Sequence, residues 1–296
     1  MGPPGPVSAE RSAGAPADQP LRGALLLILG EGLLAVMAAL IKHVSETLPT
    51  EMIVFGRNLC GLLVLMPILV ASGGIRDLGT RHLGLHFIRG FTGVTAMFCF
   101  FFTIAHIPLA EAVLVKMTVP FFLPLVAWLW LRDRISVHTW IAIALGFVGV
   151  GFIMRADQGN VDPVMLVALA GALIMSVAKV SIRRMAASEP AHRVVFYFSL
   201  FATVISSSLL LRAERWPTGT ECLWLLAIGL VAIGGQFAMT TAYQLARPGQ
   251  VGVYNYAAVV WAALLGWLFW GETLVLSTLL GTLLIIGAGV WNLKTR

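Results

Sequence analysis

The chain has 296 residues, of which 58% are hydrophobic and only 11% charged, and its mean hydropathy is +0.89. That much apolar surface cannot be hidden in one water-soluble core, so a soluble globular protein is excluded and lipid is the remaining solvent. The net charge of +6 is carried by basic residues scattered between apolar segments, a pattern of membrane orientation rather than of nucleic-acid binding.

Residues 1–20 are rich in Pro, Ala, Gly and Ser and have no apolar period, which predicts a disordered tail without the charged-then-apolar start of a signal peptide. Ten apolar segments follow. The first, Arg22–His43, is interrupted near its centre by Glu31, and the second, Thr50–Ala71, contains Arg57 and Asn58. Leu83–Ala105 and Leu109–Leu131 form a hairpin around His106-Ile107-Pro108, because proline cannot continue the preceding helix. This hairpin holds Arg89, His106, Glu111 and Lys116 inside or at its rim. The fifth segment, His138–Met154, carries small residues at Gly146, Gly149 and Gly151 that suit close helix contact. Pro163–Arg184 with Lys179, Val194–Leu211, and Cys222–Gln244 with Gln236 and Tyr243 come next. Gln250–Trp270, opening after the break Arg247-Pro248-Gly249, and Leu274–Leu293 complete the ten.

With the N-terminus in the cytoplasm, twelve basic residues fall on inside segments: Arg11, Arg22, Arg76, Arg81, Arg132, Arg134, Arg183, Arg184, Arg193, Arg247, Lys294 and Arg296. Only four, Lys42, Arg155, Arg212 and Arg215, fall outside. This asymmetry predicts a multi-pass protein of the cytoplasmic (inner) membrane with both termini cytoplasmic. The outside ends are acidic instead, with Glu46, Glu51, Asp157, Asp162, Glu214, Glu221 and Glu272.

The two halves align internally. Pro108-Leu-Ala and Trp128-Leu-Trp-Leu-Arg-Asp133 match Pro248-Gly-Gln and Trp267-Leu-Phe-Trp-Gly-Glu272, and Gly149-Val-Gly151 matches Gly287-Ala-Gly289. Five helices per half give the halves opposite polarity in the membrane, so the expected fold is an all-α polytopic membrane protein of two inverted five-helix repeats. The expected boundaries are 21–155 and 156–296. In such transporters the substrate site lies near the midplane between the halves.

These features carry a family resemblance. Phe55-Gly-Arg57, Arg89-Gly-Phe-Thr-Gly93, Pro108-Leu-Ala-Glu-Ala112, Pro120 and Leu131-Arg-Asp133, echoed by Trp270-Gly-Glu272, resemble the drug/metabolite transporter superfamily of the EamA type over residues 22–293. The resemblance implies transport of small organic metabolites through a central cavity lined mainly by helices 1, 3, 4, 6, 8 and 9. Lys116 and Lys179 depart from the apolar or aromatic residues expected there, which argues against a generic drug exporter.

Charge at membrane depth is expensive, so each intramembrane ionisable group is a site candidate. Glu31 is too short and too central to reach either interface; it is a proton-coupling or amine-binding group, or else a protonated or paired structural carboxylate. Lys116 could bind a carboxylate or phosphate, pair with Glu31, or snorkel. Glu111 lies five positions away on the same helix, about 140° around it, so the two cannot both face one cavity squarely. Lys179 sits where snorkelling is easy. Arg89 cannot discharge by losing its proton and is expected to gate or tie a helix end. Arg57 and Asn58 read as structural pairing outside the cavity. Tyr254, Asn255 and Tyr256 place an amide between two rings, with Tyr254–Trp261 or Asn255–Val259 as the faces to weigh, and Gln236, Tyr243 and Trp261 extend the idea.

No His, Cys or carboxylate spacing suits a metal, no glycine loop cradles phosphate, and GxSxG is absent. The three cysteines, Cys60, Cys99 and Cys222, suggest no disulfide framework. No cofactor and no enzymatic activity are therefore expected. Four cations, Arg57, Arg89, Lys116 and Lys179, stand against Glu31 and Glu111, a formal +2. The expectation is a secondary transporter of a small anionic or zwitterionic solute, working by alternating access and driven by proton coupling or exchange. Its substrate-binding candidates are Glu31, Lys116, Tyr254, Asn255, Lys179, Gln236 and Trp261, and its coupling or gating candidates are Glu31, Arg89 and Glu111. The alternative is a flippase for lipids or lipid-linked intermediates using the same basic residues. Partners are the solute and membrane lipids, not nucleic acid, and the sequence is compatible with a homodimer.

Overall fold

The computed structural model describes residues 19–71, 77–132, 135–154, 162–185, 188–210, 216–245 and 252–294. The predicted tail (save Gln19 and Pro20), Asp133 and the Arg247-Pro248-Gly249 break lie outside these residues, as do the side chains of Gln236 and Tyr243. The helices are α1 (Pro20–Val44), α2 (Thr50–Ala71), α3 (Leu83–His106), α4 (Leu109–Lys116), α5 (Val119–Leu131) and α6 (Val137–Met154). The second half has α7 (Pro163–Met185), α8 (Ala191–Leu209), α9 (Gly219–Leu245), a 3-10 turn over Gly252–Tyr256 running into α10 (Ala257–Trp270), and α11 (Leu276–Lys294).

Among the described residues, five segments are long and apolar enough to cross a membrane: Leu21–Val44, Thr50–Ala71, Leu83–His106, Leu109–Trp130 and Pro163–Ile182. Five shorter apolar helices complete the ten, Val137–Ile153, Arg193–Ser208, Gly219–Gly235, Tyr254–Trp270 and Leu276–Asn292. Large apolar side chains stand on the outer faces, among them Leu129, Val148, Val204, Leu230, Val260 and Leu283. Water would make that surface aggregate, and lipid accommodates it.

The fourth segment differs from its predicted continuous helix. It breaks at Met117–Thr118 into α4 and α5. Pro120 has no N–H to bond the carbonyl of Lys116, so the helix cannot run on unbroken. The gap is closed locally: the Met117 amide bonds the Val113 and Leu114 carbonyls, and the Thr118 hydroxyl donates to Val115 O at 2.6 Å. Lys116 thereby becomes the last residue of α4, where a helix C-terminus favours a cation.

Helix pairing has the correspondence between halves that a five-helix repeat requires. α1 packs on α9, and its counterpart α7 packs on α3; α2 meets α9 as α8 meets α3, while α6 and α11 pair with each other. Glycines set these approaches. A Cβ at Gly30 would lie 3.2 Å from Gly235 O of α9, and one at Gly171 would lie 2.7 Å from Cys99 Cβ of α3. Likewise Gly229 meets Cys60 Cβ at 2.7 Å, and Gly90 meets Phe201 Cβ at 2.6 Å. Both α5 and α10 end in a left-handed cap, at Arg132 (φ 59) and Gly271 (φ 65), the residues that the internal alignment places opposite each other. The chain is an all-α polytopic membrane protein of ten transmembrane segments in two inverted five-helix repeats. Of the predicted small-residue ridge, Gly146 seats Phe121 and Gly149 seats Gly281, but Gly151 meets nothing within 4 Å.

Candidate functional site

The middle of the bundle is built around Gly30-Glu31-Gly32. The flanking glycines let two neighbours press against α1: the backbone of α9 meets Gly30, and the indole of Trp261 meets Gly32, whose Cβ would lie 3.1 Å from Nε1. Between them Glu31 is buried, 5% exposed as a residue. The charged side chains that reach it electrostatically are Lys116 and Lys179. None of the ion pairs among the described residues includes Glu31. The carboxylate thus lies within electrostatic reach of two ammonium groups without an ion pair to either.

Lys116 is half-buried, with Nζ 4.7 Å from the centre of the Phe100 ring. An aromatic face stabilises an ammonium without neutralising it. Lys179 is exposed, yet it lies on the α7 face that carries buried Ala168 and Ala172, and it feels Lys116, Glu31 and Arg89. Tyr254 and Trp261 are 39% and 36% exposed, the latter beside Gly32. Asn255 is half-buried. Tyr256 turns away, its hydroxyl seated over Gly289 of α11.

Glu111 accepts a hydrogen bond from the Thr278 hydroxyl at 3.1 Å, which ties α4 to α11. It is not among the groups that reach Glu31. Arg89 lies across α3 with its guanidinium 4.0 Å from the Phe198 ring centre. Arg57 donates to Asn58 Oδ1 at 3.2 Å, but its charge also reaches Lys116 and Arg89. That hydrogen bond is the pairing of Arg57 with Asn58 that the sequence leads one to expect.

Sequence reasoning also passed over a polar knot at one end of the bundle. Lys42 of α1 pairs with Glu272 and donates to Ile107 O at 2.9 Å, and its ammonium faces the Trp270 ring at 5.6 Å. The other Glu272 oxygen accepts the Leu109 amide of α4 at 2.8 Å. One carboxylate thus fastens α1, the α3–α4 turn and the end of α10. The visible signal was the repeated Gly271-Glu272 motif. At the opposite end Glu189 accepts from Thr80 at 2.6 Å and from Arg193 at 2.8 Å, and Arg193 pairs with Asp77 at 2.7 Å. Burial alone would raise the Glu189 carboxyl, but the Thr80 hydroxyl and the Arg193 guanidinium outweigh it and hold it below the usual carboxylate range. Among the described residues no group of three metal-ligating side chains occurs.

Comparison with known proteins agrees with this architecture. The model of the "EamA-like transporter family" matches residues 21–155 and 162–293. The pseudopaline exporter CntI of Pseudomonas aeruginosa is 33% identical over 276 residues, covering 93% of this chain and 96% of its own. A riboflavin transporter of Vibrio cholerae is 24% identical, covering 85% of this chain and 86% of its own. Human solute carrier family 35 member G1 is 25% identical, with 90% and 78% covered. A solved crystal structure superposes with a TM-score of 0.62 at 23% identity over 92% of this chain and 95% of that one, a likeness of fold. The chain belongs to the EamA-like transporter family.

Proposed function

We propose that the protein is a secondary transporter that moves a small anionic or zwitterionic organic metabolite, amino-acid-like or bearing carboxylate or phosphate, across the inner membrane by alternating access. The observation that carries this reading is the buried Glu31 of α1, flanked by Gly30 against α9 and Gly32 against Trp261 and within electrostatic reach of Lys116 and Lys179. Lys116 and Lys179 receive the anionic group, Glu31 takes the ammonium or the coupling proton, and Tyr254 and Trp261 wall the apolar part. Asn255 and Gln236 stand as polar positions of the same site. Both termini are cytoplasmic in this reading, as the basic residues require. The likeness to exporters and transporters of organic solutes supports a dissolved solute over a lipid.

The roles within the site follow from asymmetry. The packing equates Gly30 with Gly171, so Glu31 corresponds to Ala172 in the second repeat, an apolar residue. That asymmetry, together with its burial, supports Glu31 as a group that acts on the solute. The test is transport in proteoliposomes under an imposed pH gradient, comparing wild type with Glu31→Gln. The wild type is expected to respond to the gradient and the variant to lose that response. Normal transport by Glu31→Gln with unchanged pH dependence would overturn the assignment.

A further inference from the structure

The donors of α2 and α3 are not accounted for by that site. Arg89 Nε and Nη1 and Asn58 Nδ2 are buried with no hydrogen-bond partner among the described residues. All three are donors. The charged groups that reach Arg89 are themselves cations, Arg57 and Lys179. A guanidinium cannot shed its proton, so a buried one needs an acceptor from somewhere. An arrangement of orphaned donors and clustered cations, with no carboxylate among them, is the complement of an anion.

The local sequence makes room for this arrangement. In Arg89-Gly-Phe-Thr-Gly93, Gly90 lets Phe201 of α8 come close, and Gly93 leaves the space that Arg89 Nη1 occupies one turn on. Phe198 supplies a face for the guanidinium at 4.0 Å, which fixes its plane. The group lies within electrostatic reach of the Glu31 site: Lys116 feels the charge of Arg57, and Lys179 that of Arg89. We propose that Arg57, Asn58 and Arg89 form a second anion subsite, so that the solute carries at least two separate anionic groups beside one ammonium. This rests on the solute-transport reading and narrows it. With Lys116, Lys179, Arg57 and Arg89 against Glu31, the joint site carries a formal +3, which a monocarboxylic amino acid leaves largely unanswered.

The test uses the full chain in neutral-lipid nanodiscs and three probes with one amine each: glycine, iminodiacetate and N-(carboxymethyl)aspartate, bearing one, two and three carboxylates. Calorimetric affinity is expected to rise at least tenfold from the first probe to the third. Arg89→Gln should remove that gain while leaving glycine within about twofold. Gly93→Ala, which displaces the guanidinium without deleting it, should do the same, and Arg89→Lys should keep part of the gain. No preference for the third probe, or equal weakening of all probes by Arg89→Gln, overturns the subsite. A phosphatidylglycerol-dependent stabilisation that Arg89→Gln abolishes, without any probe preference, assigns the donors to a lipid headgroup and also overturns it. Lys116→Gln separates the two claims: if it leaves every affinity unchanged, the transport-site reading fails, whatever Arg89 does.

Discussion

Removing Glu272 tests whether one carboxylate holds one end of the bundle together. Its two oxygens serve different elements, one pairing with Lys42 of α1 and the other accepting the Leu109 amide at 2.8 Å. The side chains of Lys42 and Glu272 keep only 14% and 16% of their exposure, so each charge is largely withdrawn from water. Breaking a buried pair by deleting one partner costs 3–5 kcal/mol, and residual exposure places this pair near about 3 kcal/mol. Glu272→Gln should therefore lower the melting temperature in detergent by on the order of 5 °C, followed by tryptophan fluorescence. Lys42→Met alone should cost less, because the Glu272 carboxylate keeps the Leu109 amide as a donor. In the Glu272→Gln background Lys42→Met should cost almost nothing more, giving a coupling of about 2 kcal/mol in the double-mutant cycle. Additive effects of the two substitutions would refute the shared knot.

Three further outcomes are expected. Arg132 holds a left-handed cap that glycine occupies in the other repeat, so Arg132→Gly should stabilise by about 1 kcal/mol in the same melt, while Gly271→Arg should destabilise. Gly149 and Gly281 touch through their backbones, with a Cβ at Gly149 reaching 2.8 Å from Gly281 O; Gly149→Val should cost about 3 kcal/mol and reduce the yield of monodisperse protein on size exclusion, whereas Gly151→Ala should be silent. Glu189 has a carboxyl held below its ordinary range, so the folded state binds that proton less readily than the unfolded chain. Its stabilisation is present at neutral pH and is lost as pH falls through the folded-state value; Glu189→Gln should melt lower than wild type at pH 7 and converge with it in acid.

Segments and repeats were legible because lipid imposes a simple rule: apolar runs of fixed length, broken by polar loops. Thr50–Ala71 falls on the same residues in sequence and structure. The break at Met117–Thr118 was less legible, since Pro120 sits inside an uninterrupted apolar run and its effect is felt by the carbonyl of a residue four positions earlier. Glu31, Lys116 and Lys179 were each visible as charge out of place, and the structure brings them within electrostatic reach of one another. The pairing of Arg57 with Asn58 was legible because the two are neighbours on α2, whereas the reach of Arg57 to Lys116 and Arg89 depends on how α2 is turned. Lys42 and Glu272 lie at segment ends, where charge is ordinary, so their pairing depends on distant helices meeting and leaves no local trace.

The most direct test of the account is ligand-dependent thermal stability of the purified protein against a panel of metabolites at pH 6 and pH 8, in wild type and in Lys116→Ala. A solute at one hundred times its dissociation constant stabilises by about 2.7 kcal/mol, a readily measured shift. The account predicts stabilisation by carboxylates or phosphates that Lys116→Ala abolishes. Stabilisation by lipids or lipid-linked compounds alone, or carboxylate shifts unchanged in Lys116→Ala, would contradict it.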